Sequence, residues 1–303
     1  MRIDGKKIKY AAATVVGAYA LYVCAIGLIT SPSTELYNPP KIDEQSTDHD
    51  KAVVMAQACT KALDDELNSL FGWLPNDLML VPSIIDNTTA YQKGVIYATR
   101  PASDILAKTV ARFGNNDTID KRLADATSRF FTYSEYAWGF WFVYDAESKY
   151  KDGIKNWLSW AESIGTNAKN AGIYNVKSDD VYQVMNYCAN MCDYALGILN
   201  DENMGHFTSD DNIYFVKGIA AVVTNVIKGM LAVDKSIVER GGAENVAECL
   251  KRFEYISNFN PIYVTAGGNA IGDAMLPNHV AAIARHFDVA NNRIEDIMKA
   301  MSK

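Results

Sequence analysis

Proline and histidine are both scarce in this sequence, with 8 prolines and 4 histidines among 303 residues. A chain with so little proline, 49% apolar and 21% charged, is no disordered polymer and can bury a full core. No repeat at a solenoid period is present. Several motifs that would announce a chemistry are also missing. There is no His-Glu-x-x-His and no Cys-x₂-Cys, no Gly-Lys-Ser/Thr ending to a glycine-rich loop, and no Gly-x-Ser-x-Gly elbow. His279 and His286 stand seven apart on one helix face, without a third ligand beside them. Basic charge is confined: the first nine residues carry four bases against one acid, a net +3, so the remainder carries −10 within the overall −7. An acidic remainder excludes nucleic acid, whose phosphates are gripped by Lys and Arg.

Charge is absent altogether from Tyr10 to Thr30, "YAAATVVGAYALYVCAIGLIT". Those residues suffice for a helix through a bilayer core of about 30 Å. Arg2, Lys6, Lys7 and Lys9 precede it, and basic flanks stay cytoplasmic. The expected organisation is a cytoplasmic tail (1–9), a transmembrane helix (10–30), a tether (31–50) and an outer domain (51–303). The rival, a cleaved signal peptide, would have an apolar core of about 7–15 residues and a small-x-small cleavage site. Here the run is longer and continues into "SPSTELYNPP". Ala13, Gly17, Ala20, Cys24 and Gly27 recur at steps of four and three, a small-residue face where a partner helix could approach, or a chance stripe in an Ala-rich segment.

The outer part reads as mainly α. Ala52, Ala56, Cys59, Leu63, Leu67 and Leu70 form one apolar stripe. Asp145 and Ser178 are placed to cap helices, and Asp210 or Asp211 opens a third. That third run, Asn212–Val233, is about as long as a membrane span, but Lys217 and Lys228 inside it favour a buried core helix. A last helix is expected from about Pro277, with short extended pieces at Leu78–Pro82 and Ile262–Ala266.

The chemical candidates are few. Cys188 and Cys192, four apart on a helix, are too distant for a relaxed disulfide but could share a metal with His206 or Cys249; small buried core residues are the simpler reading, as for Cys59. The pairs Asp64-Asp65, Asp179-Asp180 and Asp210-Asp211 could form a two-carboxylate hydrolase site, or cap and flank helices. Thr265–His279 holds three glycines before a helix and reads as a turn. No metal, cofactor or catalytic residue is assigned. Phe130–Tyr144, "FFTYSEYAWGFWFVY", packs nine aromatics into fifteen residues, more than one helix face can bury. Phe130, Tyr133, Tyr136, Trp138 and Trp141 are the candidate interaction surface.

"FGWLPND" (Phe71–Asp77) ends the first outer helix: Gly72 permits a left-handed stop, Pro75 blocks continuation, and Asn76 and Asp77 can satisfy exposed backbone groups. Gly72-Trp73-Leu74-Pro75-Asn76-Asp77, then Asp86-Asn87, Gln92-x-Gly94, Ala146-Glu147-Ser148-x-Tyr150, Asp211-Asn212-x-Tyr214 with Gly218, and Leu276-x-Asn278-His279 follow in order. In this the chain resembles the bacterial family catalogued as domain of unknown function 2333. The resemblance implies a single-pass inner-membrane protein with a helical outer domain and supplies no catalytic residue. Ala266-Gly267-Gly268 departs from it, standing where an Asn-Gly turn is more usual. The expected function is an interaction or scaffolding subunit of an envelope assembly, partnered by itself or by other membrane or envelope proteins. A cell-wall hydrolase or a periplasmic ligand binder is the alternative.

Overall fold

A computed structural model of the chain describes residues 5–76, 86–111, 119–140, 144–176, 178–201, 204, 208–261, 264–265 and 277–302. These residues form ten helices and no strand; the one β-type contact among them is an isolated bridge between Ala111 and Asn175. The helices are α1 (Gly5–Ile29), α2 (Asp48–Leu67), α3 (Asn87–Thr109), α4 (Lys121–Asp125, widening into a π turn over Ala126–Phe130), α5 (Ala146–Glu162), α6 (Ser178–Leu199), α7 (Ser209–Val233), α8 (Ser236–Gly241), α9 (Ala243–Asn258) and α10 (His279–Met301).

Helix α7 is the axle. It packs against α2, α3, α6 and α9, and from Ile213 to Ile227 nearly every residue is buried. Its apolar length is therefore spent on the core, as its two lysines suggest. Lys217 is buried and donates from Nζ to Phe259 O at 3.0 Å, while Asn225 Oδ1 accepts the backbone N–H of Tyr37 at 2.8 Å. Helix α3 lies so close to α7 that no side chain fits between them. A Cβ on Gly94 would sit 1.9 Å from Phe215 O, and one on Gly218 would sit 2.2 Å from Tyr91 O.

Local signals in the sequence account for several helix starts. Asp145 caps α5 by accepting Ser148 N at 2.7 Å, and Thr47 with Asp50 forms a capping box on α2. The last helix starts at His279, two residues after Pro277. Asn278 supplies the cap, accepting Ala281 N at 2.8 Å. The stripe expected along α2 also ends early. Helix α2 stops at Leu67, where Asn68 hooks back onto Asp64, so Leu70 is thrown off the buried face and is 83% exposed. Leu78–Pro82 and most of Ile262–Ala266, Thr265–His279 and the Ala266-Gly267-Gly268 departure lie outside the described residues.

Residues 30–47 have neither helix nor strand, yet they are pinned. Ser33 N donates to Glu66 Oε1 at 3.3 Å, Tyr37 donates its O–H to Gln57 Oε1 at 2.9 Å, and Tyr37 and Ile42 are buried against α2 and the end of α7. The segment is a strap running along α2 from its last turn to its first.

Candidate functional site

The corner after α2 carries the first cluster. Gly72 takes the left-handed conformation, with φ of +64°. Trp73 is buried, stacks edge-on against Tyr150 with ring centroids 5.1 Å apart, and donates from Nε1 to Glu135 O at 2.9 Å. Asn76 donates from Nδ2 to Ala137 O at 2.9 Å; Asp77 lies outside the described residues. Gln92, wholly buried on α3, ties the corner to α2: Leu74 N donates to its Oε1 at 2.9 Å, and its Nε2 donates to Gly72 O and to Glu66 Oε2, each at 3.0 Å. Glu66 is 3% exposed, and burial outweighs these bonds and the nearby Lys217 to lift its carboxyl to about 7. Burial likewise lowers Lys217 to about 8, against the pull of Glu66. Trp73, Leu74, Asn76 and Gln92 each have a hydrogen-bond or packing task in the fold.

A second cluster was not legible as a pair. Asp86 precedes α3 without capping it, and its carboxyl turns to Asp211 in the first turn of α7. Burial, then the hydrogen bond to Asp86 and its charge, raises Asp211 to about 8, against the pull of Lys93. Such a pair holds one proton between two carboxyls. Oδ1 of Asp86, of Asn87 and of Asp211 are all buried without a donor among the described residues. The sequence placed Asp86 and Asp211 in separate motifs 125 positions apart, and only the meeting of the starts of α3 and α7 joins them. Two of the three consecutive acid pairs are taken up by neighbours, and the side chain of Asp179 lies outside the described residues. Asp65 is bound by Lys61, Asp64 holds Asn68, and Asp210 Oδ1 accepts Asp211 N at 3.0 Å.

The aromatic segment divides its side chains between core and solvent. Phe131 is buried and Phe130 and Tyr133 are half-buried, whereas Tyr136, Trp138, Phe140 and Tyr144 are 57–68% exposed; Trp141 lies outside the described residues. Its backbone is clamped. Arg100 donates to Phe131 O at 2.7 Å, to Tyr133 O at 3.1 Å and to Glu135 Oε2 at 2.8 Å. Tyr150 donates its O–H to Tyr133 O at 2.9 Å, and Ala146 N donates to Ala137 O at 3.0 Å. Lys149 lies 3.8 Å from the Tyr144 ring centroid and Lys93 5.3 Å from that of Tyr136.

Cys59, Cys188, Cys192 and Cys249 are buried free thiols, and burial raises all four, Cys249 to about 12. Such thiols are poor nucleophiles and poor metal ligands. No group of three or more His, Cys, Asp or Glu able to hold a metal occurs among the described residues, which exclude His206. His279 accepts Thr265 N at 3.1 Å, and His286 stacks on Tyr255 at 3.8 Å. On α1, Ala13, Gly17, Ala20 and Cys24 are exposed and Gly27 half-exposed, with nothing within 4 Å of a Cβ built on Gly17.

A family model described as an uncharacterized protein conserved in bacteria (DUF2333) matches residues 3–201. The match takes in α1, the corner, the aromatic segment and α6, and ends before Asp211, Asn212, Asn278 and His279. No curated protein and no solved structure matches the chain.

Proposed function

The chain belongs to the bacterial DUF2333 family, and from that premise we propose that it is a bitopic inner-membrane protein whose helical periplasmic domain is an interaction or scaffolding subunit of a cell-envelope assembly. The observation that carries this reading is the aromatic segment. Water-exposed Tyr136, Trp138, Phe140 and Tyr144 stand on a backbone that Arg100, Trp73, Asn76 and Tyr150 hold at four carbonyls, those of Phe131, Tyr133, Glu135 and Ala137. A rigid aromatic patch loses little entropy on docking, and Trp and Tyr dominate protein interfaces. Helix α1 supports the membrane part: between Lys6 and Gly27 its apolar side chains are left almost entirely outside the fold, whereas those of the equally apolar α7 are taken up by the core. Four bases before α1 favour a cytoplasmic start and an outer domain beyond it.

Photo-crosslinking tests the reading. A crosslinker in place of Phe140, in membranes of the native host, is expected to give one discrete adduct that Trp138→Ala weakens at least tenfold. No adduct, together with a monodisperse lone monomer in mild detergent, would contradict it.

One observation favours a second reading, an envelope hydrolase: Asp86 and Asp211 come from separate helices and share a proton, as an acid–base pair would. Structural packing of two helix starts explains the same contact. Asp86→Asn and Asp211→Asn separate the two. Release of soluble fragments from isolated cell walls by the wild-type chain, lost in both variants at equal protein abundance, supports catalysis, and release that the variants leave unchanged removes it.

A further inference from the structure

The corner Ser69–Leu74 meets α1 at a level that says where the outer domain rests. Phe71 and Leu74 pack against Val23 and Ile26, which among the described side chains of α1 are the two buried by the rest of the fold. At about 1.5 Å per residue, Ile26 lies about 6 Å and Val23 about 10 Å inside the Thr30 end of α1. If Tyr10–Thr30 fills the hydrocarbon, as the transmembrane reading on which this inference rests requires, those contacts fall within its outer third. Leu70 projects from the same corner, 83% exposed. The strap gives independent support. It leaves α1 at Thr30 and is fixed by Ser33 to Glu66, in the last turn of α2, so no free length separates the span from the domain. A cavity of about 180 Å³ lies at the junction, lined by Ile29, Thr30, Glu66, Leu70, Phe71 and Thr88.

We propose that this corner is a lipid-seating surface: Leu70 and the open side of Phe71 enter the outer leaflet beside α1, Leu74 seals the contact with α1 beneath them, and the domain sits flush on the bilayer that α1 crosses. An exposed leucine, costly in water, is then accounted for by contact with acyl chains. Trp73, directed the other way into the core, fixes the angle of the insertion. The starts of α3 and α7, with Asp86 and Asp211, consequently face the membrane, and the far ends of α2 and α7 face away.

Nitroxide labelling of the full-length protein in phosphatidylcholine–phosphatidylglycerol bilayers tests this. In a Cys24→Ser background, in which the four remaining thiols are buried, single labels are placed at Leu70→Cys, Val16→Cys and Lys235→Cys. Collision with oxygen is compared with collision with a water-soluble nickel chelate. The expected result is oxygen-dominated relaxation at positions 16 and 70 and chelate-dominated relaxation at 235. If 16 reads as lipid while 70 matches 235, the span stands and the seating surface is overturned. If 16 also reads as water, both fail.

Discussion

Asp211 keeps its proton to about 8 because burial and the Asp86 carboxyl oppose its ionisation; its ordinary value is 3.8. Between those values the folded chain binds more protons than the unfolded one, so stability falls as pH rises across that window. Glu66, lifted from 4.5 to about 7, acts in the same direction over its own interval. Below about 4 the sign reverses, since Asp43 and Asp50 are held low by hydrogen bonds led by the backbone N–H groups of Gln45 and Thr47. Thermal melts should therefore peak near pH 4 and decline toward pH 8. Asp211→Asn should flatten the decline and gain about 1 kcal/mol at pH 8, a figure discounted for partial exposure. A steeper decline in that variant would refute the shared proton. Lys217, depressed from 10.5 to about 8, adds a small rise in stability between those values, which Lys217→Met should abolish.

At the scale of elements, two joints hold the fold. The α3–α7 crossing depends on Gly94 and Gly218, where an added methyl would collide with backbone carbonyls that cannot move aside. Gly218→Ala should cost about 3 kcal/mol or more in chemical denaturation, and a cost under 1 kcal/mol would show that the helices can separate. The second joint is Trp73, which fixes both corner and aromatic segment. Trp73→Ala should cost about 3–5 kcal/mol and raise amide exchange from Phe131 to Ala137. These joints show what the sequence made legible. Periodicity marked α2, α5, α6, α7 and α10, and cap residues placed the start of α5, because both signals are local. Gly72 takes the left-handed conformation expected of it, but in the turn beyond the helix, which has already ended at Leu67. The outward turn of Leu70 was not legible, since a stripe cannot reveal that the helix under it ends at Leu67. Nor was the Asp86–Asp211 contact, which depends on where α3 and α7 begin in space. Residues 31–50 have the composition of a tether, yet the strap within them is partly buried. Its burial arises from two residues, Tyr37 and Ile42, and from acceptors far along the chain.

For the whole molecule, α1 and the helical domain form a continuous object: α1 runs into the strap, the strap into α2, and α2 into a corner that returns to α1. The small-residue face of α1 stays open in that arrangement, and in the proposed assembly it meets another helix in the membrane. Gly17→Leu should abolish any association carried by α1, read as a shift to monomer in detergent sedimentation, without changing the melting of the outer domain. The account as a whole depends on α1 staying in the bilayer with the helical domain outside. Its most direct test labels Lys235→Cys, again in the Cys24→Ser background, with a membrane-impermeant thiol reagent in intact spheroplasts, followed by carbonate extraction. The account predicts labelling before lysis and a full-length protein retained in the membrane pellet; labelling only after lysis, or release into the supernatant, would contradict it.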